Sequence, residues 1–239
     1  LIHHGGDPDA PPRGHMPAGG FYFDTIPTPP GPDDDTPDPH DNCEEFAPLG
    51  GADATLMAAA AARAAADTDY GIYMTVPGLG FGDIALVPAP MLARPKGIRD
   101  IEAWYVSTHT PPEHIRKILD FQLDCALETI DRLAALAADN VDVVFTSGTD
   151  FGTQHGPFLS VDSYRNLFKP YHIEINRRIH QQTRWKTFLH TDGAVRDLIP
   201  EFIDAGFDVL NPIQWNCTGM DPGELKSEFG KELVFWGGA

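Results

Sequence analysis

Residues 185–193 read WKTFLHTDG, an aromatic and aliphatic run that stops abruptly at His190, Thr191, Asp192 and Gly193. The following AVRDLIPEFIDAG, 194–206, places its apolar residues at helical spacing. A strand that ends in a polar tip and hands over to a helix is half of a β/α unit. In sheets built from such units, reactive groups gather at the carboxyl ends of the strands. Side chains alternate along a strand, so His190 and Asp192 can point to the same side and offer an imidazole nitrogen and a carboxylate to one ligand. The plainer alternative is a hydrogen-bonded pair that caps the next helix, with Asp192 near its amino end.

The same grammar extends in both directions. Downstream, Gly206 ends the helix, FDVLNPI (207–213) is a further strand, Asp221 caps a short helix in DPGELKSEFG, and ELVFWGG (232–238) is the last strand. Upstream, Ser160 caps a helix running to about Gln182, and TSGTDFGTQHGPF (146–158) is a glycine-punctuated loop after a strand at Val141–Phe145. Before it, Ile115, Ile118, Leu119, Leu123, Leu127, Ile130, Leu133 and Leu136 recur at helical spacing and predict one long helix from Glu113 to Ala138. A short amphipathic helix over 98–109 is closed by Pro111-Pro112, and YGIYMTV (70–76) reads as a buried strand. Asp53 is expected to cap an alanine-rich helix through TLMAAAAARAAAD. About five strands alternate with helices from Tyr70 onward, which predicts an α/β fold with a parallel sheet. A closed barrel needs eight, and no helix covers the last strand, so the chain is expected to be part of a longer one.

Residues 1–50 are too rich in Pro, Gly and Asp for regular structure. Within them GFYFDTI, 20–26, resembles a short strand, and Phe21, Tyr22, Phe23, Ile26 and Phe46 are apolar anchors for an irregular strap lying on the domain formed by 51–239. The chain of 239 residues carries 17 basic and 35 acidic side chains, a formal charge of -18 that repels nucleic acid and anionic membrane surfaces. No apolar run is long enough to cross a bilayer and no signal peptide opens the chain, so a cytoplasmic protein is expected. Cys43, Cys125 and Cys217 form no CxxC pair and point to neither a disulfide framework nor a four-thiolate zinc site.

The strand-end loops supply the other candidates. Asp150 is the favoured ligand-contacting residue of its loop, which Gln154 and His155 share; Asn211 and Gln214 flank another strand end and can line the pocket. A structural turn, or amides satisfying loop backbone, explains these residues about as well. GLGFGD (78–83) fits neither the dinucleotide fingerprint nor the phosphate loop. Tyr171 falls mid-helix and reads as packing, Cys217 is an outside candidate, and His3, His4, His15 and His40 have no ligand spacing.

Three stretches, VFTSGTDFGTQHGPFLSVDSYRNLFKPYH, FLHTDGAVRDLIPEFIDAGFDVLNPIQ and GMDPGELKSEFGKELVFWGG, resemble the uroporphyrinogen decarboxylase superfamily. The likeness covers roughly residues 70–239 and implies a (β/α)8 TIM barrel, present here in part behind the irregular amino-terminal segment. It implies one of two chemistries. Corrinoid-linked methyltransferases of that superfamily carry a histidine, one residue and a metal-binding cysteine before a glycine; here the positions read His190, Thr191, Asp192, Gly193. That resemblance implies zinc held by His190 and Asp192, with a corrinoid carried on a partner protein. The decarboxylase branch implies a tetrapyrrole or other polycarboxylate substrate, no cofactor, and Asp150 as proton donor, although PPRGHMPAGG does not match its arginine-bearing motif. A non-catalytic barrel that binds a tetrapyrrole or a partner is the third expectation.

Overall fold

The computed structural model describes residues 2–3, 12–14, 17–19, 38–89, 92, 95–109 and 113–238. The strand expected over 20–26 and the Pro111-Pro112 boundary lie outside them. In chain order the elements are β1 (Ile2–His3), β2 (Pro12–Gly14), α1 (Gly51–Asp67), β3 (Tyr73–Thr75), α2 (Ile101–Ser107), α3 (Glu113–Ala137), β4 (Val143–Ser147), α4 (Val161–Leu167), α5 (Lys169–Gln182), β5 (Lys186–His190), α6 (Ile199–Asp204), β6 (Val209–Asn211), α7 (Pro222–Phe229) and β7 (Val234–Phe235). They fall into two compact units, one of Leu1–Glu45 with Asp83–Ile118 and one of Phe46–Gly82 with Leu119–Ala239.

In the first unit β1 and β2 pair antiparallel. Arg99, 4% exposed, ties the segment around 41–45 to that around 96–99. Its guanidinium donates to both carboxylate oxygens of Glu45 (2.7 and 3.2 Å), to the Asp41 carbonyl (3.1 Å) and to the Lys96 carbonyl (2.6 Å). A buried cation is tolerated because its donors are met in this way. Asn42 adds a two-way clasp to the backbone of Ile98, 2.8 Å in each direction.

The second unit is a five-stranded sheet in the order β3-β4-β5-β6-β7, parallel throughout. One face carries Met74, Val144, Thr187, Leu189 and Leu210, all buried. It lies beneath helices whose apolar stripes, among them Ile130, Leu133, Ile175, Ile179 and Phe202, are fully buried. The other face carries Tyr73, Phe145, Phe188 and, just past β7, Trp236. Tyr73 and Trp236 come from opposite edges, four strand spacings or roughly 19 Å apart in a flat sheet. Their ring centroids are 6.4 Å apart, each also edge-on to Phe188 at 5.4 and 5.5 Å. The sheet is therefore curled so that its concave side chains meet across the middle, as in a partial β/α barrel.

Most of the expected elements are present. The helix predicted from Ser160 to Gln182 is instead two, α4 and α5, broken at Phe168 (φ −105, ψ −40). Pro170 has no N–H to return to the preceding turn and its ring crowds the carbonyl four residues back, so a new helix starts there. Ser160 does cap α4, accepting from the Ser163 amide at 3.0 Å. The stretch 195–204 opens as a 3-10 turn, Arg196–Leu198, before α6, with Pro200 in the first turn of α6. Asp53 lies inside the first turn of α1, whose cap is Gly50. Tyr171 is buried, stacks on Phe81 and donates its hydroxyl to Asp120 at 2.8 Å.

Candidate metal centre

The site is assembled by the segments that follow β4, β5 and β6. Those after β4 and β5 touch backbone to backbone: the Gly152 amide donates to the Asp192 carbonyl (3.1 Å), and the Ala194 amide to the Thr153 carbonyl (2.7 Å). This approach needs glycine on both sides. A Cβ on Gly152 would lie 2.6 Å from the Asp192 carbonyl oxygen, and one on Gly193, itself at φ +90, 2.6 Å from that of Gly152. The buried Thr191 hydroxyl accepts from the Phe151 amide at 2.8 Å, and Asp150 Oδ1 accepts from the Asp192 amide at 2.8 Å. Two strand ends are thereby locked in one relative position.

Within that frame, Asp150, His190 and Asp192 each offer one ligand atom, and those atoms all lie within 4.8 Å of one another. His190 Nε2 is 3.9 Å from Asp150 Oδ1 and 4.0 Å from Asp192 Oδ1, too far for a direct hydrogen bond. The opposite ring nitrogen, Nδ1, is 2.7 Å from Asn211 Oδ1. Asn211 Nδ2 donates to the Trp236 carbonyl at 2.7 Å, which fixes the end of the amide that faces the histidine. Asn211 therefore accepts, His190 Nδ1 carries the hydrogen, and the Nε2 lone pair is turned toward the two carboxylates. With the imidazole neutral, its Nε2 lone pair and the two carboxylates converge, an arrangement a cation satisfies.

Burial raises the pKa of Asp192, and repulsion from Asp150 adds to it, outweighing the attraction of His190. All three side chains are partly open, 34 to 41% exposed, so the centre is reachable from solvent. Gln214 accepts the Gly193 amide at 2.8 Å, and the buried Cys217 thiol has two acceptors for its one hydrogen, Gln154 Oε1 at 3.2 Å and Gln214 Oε1 at 3.4 Å. Burial, and after it the charge of Asp192, pushes the Cys217 thiol up. His155 is exposed on the loop, its amide donating to Thr153 Oγ1 at 3.1 Å. Of the seven residues singled out from sequence, the structure brings together Asp150, His190 and Asp192. It sets Asn211 and Gln214 directly behind them and places Gln154 at one remove, while no hydrogen bond or ion pair links His155 to the three. The sequence reading did not anticipate the Trp236 carbonyl and the Thr191 hydroxyl. A backbone acceptor leaves no residue-type signal, and a threonine between two polar residues reads as spacer.

Residues 56–238 match the family model described as Uroporphyrinogen decarboxylase (URO-D). The chain belongs to the uroporphyrinogen decarboxylase family. A solved structure described as a methyltransferase from Methanosarcina mazei has a similar fold, with a TM-score of 0.52 at 13% sequence identity. The match takes in 90% of this chain and 56% of that one, so the chain spans a little over half the length of that methyltransferase. Comparison with curated proteins finds no match. For this family member the five parallel strands are the partial barrel that the resemblance implies and that the repeat pattern allows. Among the described residues no helix is long and apolar enough to cross a membrane.

Proposed function

We propose that this chain carries the metal-binding portion of a methyltransferase-like enzyme, in which a methyl group passes between a corrinoid carrier or methylated substrate and an acceptor. The observation that supports this reading most is the convergence of His190 Nε2, Asp150 and Asp192 with the histidine's hydrogen held on the far side by Asn211. His190, Asp192 and Asp150 would hold a divalent cation, zinc in the reading drawn from sequence. When bound, such an ion draws electron density from an acceptor atom and eases its deprotonation near neutral pH. The chain's own part is to present the ligands with little rearrangement: Asn211 fixes the imidazole, the Asp192 amide holds Asp150, and Gln214 holds the turn at Gly193. Gln154 and His155 stand at the loop where a small-molecule or tetrapyrrole substrate would enter. The acidic surface favours a partner protein over nucleic acid, and three cysteines outside any disulfide suit a cytoplasmic setting.

Metal analysis after equilibrium dialysis tests the proposal. About one divalent ion per chain is expected in the wild type and well below that in His190→Ala, with circular dichroism unchanged. A wild-type protein that binds none at micromolar concentration would overturn it. A metal-free carboxy-lyase is the second reading, favoured by the same loop pair. It sets two carboxyls side by side, Asp192, which burial moves toward holding a proton, and Asp150, the acid proposed from sequence. Carbon dioxide release from uroporphyrinogen without added cofactor distinguishes it.

A further inference from the structure

The metal reading leaves open which atoms contact the ion, and the loop after β6 brings a buried thiol close to the site. We infer that the ligands residues 1–239 bring to the centre are oxygen and nitrogen atoms, from Asp150, Asp192 and His190, and that Cys217 is a positioning hydrogen-bond donor outside the metal's ligand set. This inference rests on the metal-centre reading above and narrows it.

Three observations carry it. First, the ligand atoms that lie within 4.8 Å of one another come from two aspartates and a histidine, and the Cys217 sulfur is not among them. Second, Cys217 is already committed. Its sulfur faces the amide oxygens of Gln154 at 3.2 Å, Gln214 at 3.4 Å and Asn216 at 4.0 Å, three acceptors that favour an S–H over a sulfur anion. Third, the orientation of Gln214 is not arbitrary, because the same oxygen accepts the Gly193 amide at 2.8 Å. Turning the sulfur toward the carboxylates would strip that oxygen of one donor and loosen the turn next to Asp192.

The chemical consequence concerns selectivity. Zinc binds more tightly than manganese at almost any such site, but thiolate ligands widen the gap and carboxylate oxygens narrow it. The residue two positions after His190 sets the gap here, and Asp192 sets it low.

Cobalt(II) is a suitable probe, since a sulfur ligand announces itself by an intense ligand-to-metal charge-transfer absorption that oxygen and nitrogen ligands lack. The full chain should bind one cobalt ion without that band. Cys217→Ser should keep both the cobalt spectrum and a Kd within about twofold of wild type. Asp192→Cys should acquire the band and raise the zinc-to-manganese affinity ratio by about tenfold or more. A charge-transfer band in the wild type that disappears in Cys217→Ser would overturn the inference while leaving a metal centre in place. An affinity ratio unmoved by Asp192→Cys, despite its band, would overturn the selectivity argument. Failure of cobalt, zinc and manganese alike to bind would overturn the metal-centre reading itself, a result distinct from the other two.

Discussion

His190 gains its definition from a residue 21 positions away. An unsupported imidazole exchanges its hydrogen between two nitrogens, whereas Asn211, itself anchored at the Trp236 carbonyl, leaves one arrangement favourable. Asn211→Ala is therefore expected to weaken divalent-metal binding about 10- to 100-fold while the thermal midpoint moves little, as calorimetric titration against melting curves would show. The histidine and its carboxylate neighbour were legible in the sequence because strand alternation places His190 and Asp192 on one side. Asp150 was legible as a strand-end acid, though nothing local tied it to a residue 40 positions on. The amides of Asn211 and Gln214 were visible as pocket-forming candidates, but which group each would meet depends on the spacing between neighbouring strands, which a linear pattern does not carry.

At the scale of elements, the loops after β4 and β5 behave as one piece because two glycines let their backbones touch. Gly193→Ala combines a left-handed backbone with a Cβ pressed on Gly152, and is expected to destabilise the fold by about 2–4 kcal/mol in urea denaturation. At the opposite ends of the strands, Asp208 accepts from His180 (2.7 Å), Lys186 (2.9 Å) and the Thr187 amide (2.9 Å). Burial alone would raise its pKa, yet these donors together bring it down to about 2 from an ordinary 3.8. A lowered carboxyl stabilises the folded state fully above its ordinary pKa, and that contribution is lost as pH falls through about 2. Asp208→Asn should thus cost about 1–2 kcal/mol at neutral pH, with the difference from wild type shrinking below pH 4 in pH-dependent denaturation. Element identity was readable where caps and periodicity agreed, as at Ser160 and Asp221. It failed at Phe168, where Pro170, nearly three turns into an otherwise continuous pattern, overrides the apolar spacing.

For the parallel-sheet unit as a whole, the aromatic side chains on the concave face meet because the sheet is curled. Tyr73 and Trp236 remain 44 and 48% exposed even while they meet, so their contact holds the two edges together without sealing the layer. Trp236→Ala is expected to cost about 1–2 kcal/mol in urea denaturation. It should leave metal stoichiometry intact, because the carbonyl that anchors Asn211 belongs to the backbone. Loss of metal binding in that variant would show that the ring itself supports the site. The parallel β/α class was legible from five strands alternating with helices, but that pattern alone fits an open sheet equally well. Curvature depends on how twist and stagger accumulate across all the strands, and no local pattern records it.

The hydrogen-bond relay from Trp236 through Asn211 to His190 makes the last strand a remote governor of proton placement in the imidazole. Anything that draws the backbone at Trp236 away, whether tension, a docking protein or a neighbouring segment, would release the amide and let the ring swap tautomers. The fixed lone pair that faces the two carboxylates would then be lost before Asp150 or Asp192 had moved.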